Sequence, residues 1–285
     1  MINTLHVDTG REMQGGQWQV LYLVERLKDA TLLAPADSPL LIEARKRGLN
    51  ALPLSGFFGE LRRADLIHAH DSRAHTYSAL ANSGRSTRPL VVSRRVGFPV
   101  KQSMASRWKY LQATLYLAVS RYVAGKLKDA GVERGVIRVV YDGIPIPAST
   151  ANPEPGRVVA LPSKSVELEG IPVHLTTDLF GDLSIASVFL YVSEMEGLGS
   201  AAIAAMASGV PVVASGVGGL PEVVEHERTG LIVRDGDYAT AVRRLLDNPK
   251  LAAELGAAGR EKALKEFSVE KMVQGTLDAY NEILR

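Results

Sequence analysis

Three observations predict an α/β fold made of two doubly wound, Rossmann-like domains. Short apolar runs of strand type alternate with segments of helical period along almost the whole chain. The stretch Val188–Asp237 shows the pattern at its clearest: a strand (188–192), a turn marked by Gly197 and Gly199, a small-residue helix, a strand (211–214), a glycine-rich turn and a third strand (230–233). Strands and helices at this spacing mean βαβ units on a parallel sheet. Finally, the segment Pro145–Pro155, PIPASTANPEP, is rich in proline and small residues and divides the series in two. A chain of 285 residues suits two modest domains, and 46% hydrophobic residues supply their cores.

The first domain is expected over 1–146. Its strands are read at 2–7, 31–35, 51–54, 65–70, 90–93, 115–120 and 137–141. Helices fall between them at about 17–28, 39–47, 73–82, 106–112 and 121–130. In the first of these helices Val20, Leu21, Val24 and Leu27 share one face. Ligands of such a domain sit at the carboxyl ends of its strands. The second domain is expected over 147–268, with further strands at 157–161 and 173–176. From Tyr238 the chain reads as helical, with breaks near Asn248-Pro249 and Phe267-Ser268.

Composition narrows the function. There is no cysteine, which excludes disulfides and thiolate metal sites and fits a reducing compartment. No apolar run reaches the length of a membrane span. The N-terminus reads as a strand, without the basic region of a signal peptide. A cytoplasmic protein is expected. The net charge of +2 hides an asymmetry: from Ser72 to Lys128 there are eleven Lys or Arg and no Asp or Glu. A block of one sign inside a folded domain points to an anionic partner. Within it, residues 94–110 (RRVGFPVKQSMASRWKY) interleave basic side chains with Phe98, Trp108 and Tyr110. That mixture suits the inner face of an anionic membrane and equally suits a solvated basic face over core aromatics. No nucleic-acid motif accompanies it.

The glycines carry the candidate chemistry. Gly197 and Gly199 precede a helix, where free N–H groups and the helix dipole favour a phosphate. Glu196 lies in the same turn. A phosphate would repel its carboxylate, so its natural partner is a neutral donor such as a sugar hydroxyl. Gly15-Gly16 mark a second strand-to-helix junction whose amides can face a phosphate.

These residues resemble the nucleotide-sugar site of retaining glycosyltransferases of family 4, which have the GT-B fold. That family shows S-x-x-E-G-F-G, a second glutamate after seven residues, E-A-M-A-x-G-x-P-V-V-A and a G-G-x-x-E turn. Ser193, Glu196, Gly197, Gly199, Ala205, Met206, Gly209, Pro211, Gly218, Gly219, Pro221, Glu222 and Gly230 fall in place. The segments LHVDTGREMQGGQWQVLYLVERL, DLIHAHDSRAH, LAVSRYVAGKLKDAGV and IRVVYDGI extend the likeness through the first domain. The resemblance implies two Rossmann-like domains facing a cleft, the second one reduced, with a last helix (269–285) that joins the first domain.

It further implies transfer of a sugar, with retention, from a nucleoside-diphosphate sugar to a glycan or lipid-linked acceptor, such as a lipid-linked or a lipopolysaccharide-type glycan, with no bound metal and no other cofactor. Glu196 takes the donor sugar hydroxyls, and the backbone at Gly15, Gly16, Gly197, Leu198, Gly199 and Ser200 takes the diphosphate. Lys164 and Arg95 are its charge partners, and His70 at a strand tip is a further site candidate. The chain departs from the pattern in three places: Ala204 stands where the second glutamate belongs, no arginine precedes Lys164 at the family's spacing, and Gly97 follows Arg94-Arg95-Val96 where an aspartate is common. A catalytically silent relative that binds a glycan, a nucleotide or a protein is the competing expectation; Ala204 and the short segment 157–188 favour it, the intact glycine loops oppose it. His68 and His70, separated by Ala69, are expected to point to opposite faces of their strand, which would keep them from sharing a metal.

Overall fold

The computed structural model describes residues 2–82, 88–100 and 103–284. They form two compact units, Met1–Val140 with Met272–Arg285, and Tyr141–Lys271. The fold is α/β with one parallel sheet in each unit, as expected from sequence.

The first unit is a seven-stranded, wholly parallel sheet. Its strands are β1 (Thr4–Val7), β2 (Ala30–Ala34), β3 (Ala51–Pro53), β4 (Leu66–Ala69), β5 (Leu90–Arg94), β6 (Leu115–Ala118) and β7 (Ile137–Val139), in the spatial order β3-β2-β1-β4-β5-β6-β7. Between them lie α1 (Gly15–Val24), α2 (Pro39–Lys46), α3 (Phe57–Leu61), α4 (Ser72–Ala81), α5 (Met104–Leu111) and α6 (Arg121–Asp129). The strand order reverses between β1 and β4, and a crevice for ligands opens at the carboxyl ends of such a pair. Strands β1, β4 and β6 are buried throughout, as expected where helices cover both faces of a parallel sheet. On one face Val20, Leu21 and Val24 of α1 pack with Leu32, Ala34, Leu40 and Leu41.

Helix starts follow local side-chain chemistry. Ser38, Asp71, Ser103 and Ser120 each accept a backbone N–H of the first turn of α2, α4, α5 and α6. Helix α1 departs from expectation at both ends. It begins at Gly15 because the Gln17 side chain turns back to accept the N–H of Gln14 at 3.3 Å. It ends at Val24, where Arg26 and Leu27 donate three residues back, to Leu23 and Val24, so Leu27 lies outside the helix.

The last helix, α12 (Val269–Ile283), packs Ala279 and Tyr280 with Leu66, Val91, Leu115 and Leu117 of the first unit. The buried Tyr280 hydroxyl meets His68 Nδ1 at 2.5 Å, and Arg138 pairs with Glu282 at the surface. Tyr280→Phe strips His68 of that partner at a place closed to bulk solvent, His68 being 1% exposed. Unfolding in urea is expected to show a loss of about 1–3 kcal/mol, the cost of leaving one buried polar group unsatisfied; an unchanged midpoint would show that the bond contributes nothing.

The second unit is a five-stranded parallel sheet in the order β12-β11-β10-β8-β9. Its strands are β8 (Val158–Ala160), β9 (Val173–Leu175), β10 (Val188–Tyr191), β11 (Val212–Ser215) and β12 (Gly230–Val233). Helices α7 (Leu179–Leu183), α8 (Ser200–Ala207), α9 (Leu220–Val223), α10 (Tyr238–Leu246) and α11 (Pro249–Glu266) complete it. Val158, Val188, Leu190, Val213 and Leu231 form its core with Val242, Leu245 and Leu255. Here the order reverses between β8 and β10, so Lys164 beyond β8 and the Ser193–Gly199 turn beyond β10 flank one switch point.

One expectation is overturned. His68 and His70 do not point to opposite faces: their rings lie 4.0 Å apart between centroids, and both stand beside His6. Residues two apart in a strand project to the same side, which is the period the sequence argument misapplied.

Candidate functional site

In the second unit the turn after β10 is shaped by close backbone approach. Gly218 has φ +58°, and a Cβ there would stand 2.0 Å from the Glu196 carbonyl oxygen; on Gly219 it would stand 2.2 Å from that of Gly197. The glycine-rich turn after β11 therefore lies directly on the Glu196-Gly197 backbone, which only glycine permits. Gly199 caps α8 with φ +103° and ψ +60°. It brings no side-chain cap to the first turn, so that turn's dipole end is available to an anion.

Glu196 is held from two sides. Tyr191 donates its hydroxyl to Glu196 Oε2 at 2.8 Å, and Lys164 Nζ lies 3.3 Å from the same oxygen. Lys164 also donates to Ser193 Oγ at 2.7 Å and stands 5.8 Å from the centre of the Tyr191 ring. Its own carbonyl accepts from Val192 N at 2.9 Å, which stitches the Lys164 loop to the end of β10. The Tyr191 hydroxyl is kept protonated by burial and by the adjacent Glu196 carboxylate, so it remains a donor. Beyond them Ser193 N donates to Ser215 Oγ, which meets the Tyr238 hydroxyl at 2.8 Å. The structure thus brings Lys164, Glu196 and the Gly197–Ser200 turn together. Ala204 is 1% exposed within α8 and offers no polar group there.

In the first unit Gly15 and Gly16 are the first two residues of α1 rather than a loop before it. The Arg95 side chain lies alongside, its Cδ 3.9 Å from where a Cβ of Gly16 would stand, and its guanidinium donates to the His70 carbonyl at 3.4 Å. The loop leading to α1 is organised by two carboxylates that sequence reasoning did not single out. Asp8, 1% exposed, accepts from Gly10 N at 2.8 Å and from Gln17 Nε2 at 3.1 Å. Burial, and then the charge of Asp71, raise its pKa. Asp71 accepts from the Thr9 hydroxyl and from the Arg73 and Ala74 amides, pinning the loop to the head of α4. Both lie just past β1 and β4, the switch-point strands, and that position was the signal that could have found them.

Next to them is a buried imidazole cluster. His6 Nδ1 meets His70 Nε2 at 2.9 Å and His6 Nε2 meets Thr4 Oγ1 at 3.0 Å. His68 lies between the Tyr280 hydroxyl and Ser93 Oγ, the latter at 2.8 Å. Burial holds His6 near pKa 3 and pushes His68 and His70 well below the ordinary range. His70 thus sits in this network rather than open at a strand tip.

The basic stretch 94–110, of which 101 and 102 lie outside the described residues, divides in two. Arg94 turns inward, donating to the Tyr110 hydroxyl at 2.8 Å and to the Phe98 carbonyl. Helix α5 has no fully buried residue. Met104 is 91% exposed and Phe98 60%, on the same stretch as Arg107, and Leu111, the last residue of α5, is 73% exposed.

Two family models match this chain: Glycosyltransferase Family 4 over residues 13–146 and Glycosyl transferases group 1 over residues 177–262. Between them they take in most of it. The chain belongs to glycosyltransferase family 4. Among its relatives is the alpha-maltose-1-phosphate synthase of Mycolicibacterium smegmatis, 40% identical over 124 residues, which are 40% of this chain and 31% of that protein. A D-inositol 3-phosphate glycosyltransferase of Saccharomonospora viridis is 32% identical over 166 residues, 55% of this chain and 37% of the relative. The matched segments thus span about a third of the curated relatives' own length. Among solved structures, Anabaena Alr3699/HepE in complex with UDP superposes with a TM-score of 0.84 at 16% identity, over 99% of this chain and 100% of that one. The lipopolysaccharide outer core galactosyltransferase WaaB in its apo form gives 0.74 at 13% identity, over 99% of both. At such identities the family 4 chain shares their fold.

Proposed function

We propose that this chain transfers a sugar, with retention of configuration, from a nucleoside-diphosphate sugar to a glycan or lipid-linked acceptor. The observation that carries it is the Lys164–Glu196–Tyr191 arrangement at the N-terminus of α8: a cation, a sugar-hydroxyl acceptor and an uncapped helix end within one turn. Glu196 accepts hydroxyls of the donor sugar. Lys164 and the first-turn amides of α8 stabilise the negative charge that develops on the leaving diphosphate, as preorganised dipoles and charges do. Lys164 is held by Glu196 and Ser193, so an incoming diphosphate competes for a charge already in position. Arg95 beside Gly16 supplies a guanidinium for a phosphate or an acceptor carboxylate, which is the chemistry its planar fork serves. Charge is handled by amides and basic side chains, so the transfer needs no metal. Complexes of Anabaena Alr3699/HepE with UDP and with UDP-glucose support the donor class.

Calorimetric titration with UDP, GDP and ADP tests the donor site. Micromolar binding of one of them is expected, weakened about tenfold or more in Lys164→Met through loss of a charge-assisted bond. Failure of all three to bind at millimolar concentration would overturn the transferase function and leave the competing one, a silent binding module.

The acceptor side of the proposal rests on α5. Apolar side chains exposed beside Arg107 in a segment without acids suit insertion at an anionic membrane. Co-sedimentation with phosphatidylglycerol vesicles is expected, with little on phosphatidylcholine, and Met104→Ser with Leu111→Ser should release the chain. Equal binding to both vesicle types would remove the membrane from the picture.

A further inference from the structure

We propose that His6, His68 and His70 form a binding site for one divalent transition-metal ion, zinc foremost, that ties β1 to β4 inside the first unit. His6 and His68 are register partners on neighbouring parallel strands, and His70 follows two residues on, so the sheet places three imidazoles on one face. One ligand atom from each can be chosen so that all three lie within 4.8 Å of one another. Three histidines with an open fourth position are an established zinc ligand set, and imidazole selects zinc, nickel, copper or iron over the oxygen-seeking calcium and magnesium.

The cluster already has the protonation state and the supports that such a site requires. Burial keeps all three rings neutral, the form that ligates metal. His6 Nδ1 and His70 Nε2 stand 2.9 Å apart with a single proton between them. Two nitrogens on one zinc ion at tetrahedral geometry stand about 3.3 Å apart, so an ion takes that proton's place with a small opening of the pair. Outer partners that fix ring orientation are in position. Thr4 Oγ1 holds the far nitrogen of His6. His68 has a hydroxyl on each nitrogen, Ser93 and Tyr280, one of which yields to the ion while the other stays. His70 Nδ1 is buried without a partner, so His70 is the one ring of the three that ligates through Nε2 without an outer support. Access is from the strand end, where His70 is 5% exposed against 0% for His6 and 1% for His68. Arg95, bonded to the His70 carbonyl, opposes a second cation, so the expected affinity is micromolar. The ion would stabilise the unit and takes no part in sugar transfer; the site stands or falls independently of the proposed function.

The test is titration of chelator-stripped full-length chain with Zn²⁺ and with Co²⁺. One equivalent should bind, the melting temperature should rise with free Zn²⁺, and Co²⁺ should give the visible absorption of a four-coordinate site. His6→Gln with His70→Gln should abolish all three, while His174→Gln with His226→Gln should leave them intact. Should the first pair fail to fold, X-ray absorption on zinc-loaded wild type and on the second pair reads the ligands directly, and about three imidazoles in both are expected. Absence of stoichiometric binding at about 100 μM free ion, a melting temperature indifferent to zinc, or binding that disappears with His174 and His226 would each overturn the site.

Discussion

Moving the chain from pH 7 to pH 5 in the presence of chelator is expected to remove a large part of its folding stability. Four of its six histidines, His6, His68, His70 and His75, are buried. Burial lowers each pKa, to about 3 for His6 and, with Lys109 adding repulsion, to about 3 for His75. A histidine held neutral in the fold takes up its proton only on unfolding, so the unfolded state binds more protons below about pH 6.5 and stability falls with pH between there and the folded value. Above 6.5 the contribution is flat. At pH 5 each histidine that stays neutral costs about 2 kcal/mol relative to pH 7, and a domain's whole stability is about 5–15 kcal/mol. Asp8 has the opposite sign, because its raised pKa favours the folded state as pH falls, but it is one carboxyl against four imidazoles. Urea unfolding at pH 7, 6 and 5 measures the slope. A midpoint that does not move would mean that the imidazoles gain solvent or partners without unfolding.

Glu196→Gln is expected to lower kcat/KM for the donor sugar nucleotide about 10²-fold. The amide keeps the size of the side chain and an oxygen for the Tyr191 hydroxyl, 2.8 Å away in the wild type, so the turn should remain folded. What it loses is a charged acceptor for the sugar hydroxyls, and hydrogen bonds to charged groups contribute about 1.5–3 kcal/mol. Lys164 is simultaneously freed from a carboxylate 3.3 Å away, so affinity for the bare nucleoside diphosphate should hold or rise. The two measurements therefore separate sugar recognition from phosphate recognition. If diphosphate and sugar nucleotide weaken equally, Glu196 shapes the turn and does not touch the sugar.

How far the site was legible varied with the kind of contact. Glu196, Gly197 and Gly199 lie within four residues of one another, and a strand-turn-helix signal places them at a helix N-terminus without any tertiary information. Lys164 was also marked, but its bonds to Glu196 and Ser193 depend on β8 lying beside β10, a pairing of strands that β9 separates in sequence. Asp8 and Asp71 went unmarked because a carboxylate in a loop looks solvated until the loop folds over it. The clustering of His68 with His70 was present in the two-residue strand period and was misjudged; their meeting with His6 was not present there at all.

Local sequence by itself determined the alternation of strands and helices and the glycine turns, since these rest on side-chain periodicity and on backbone angles that few residues adopt. Tertiary structure alone decided which strand ends became neighbours. The reversal of strand order between β1 and β4 sets His6 against His68 across 62 residues of sequence, and α12 adds Tyr280 to His68 from 212 residues away. The physical reason is that buried polar groups must find partners wherever packing of the apolar faces leaves them, and that packing is settled by the whole sheet, which no single segment encodes.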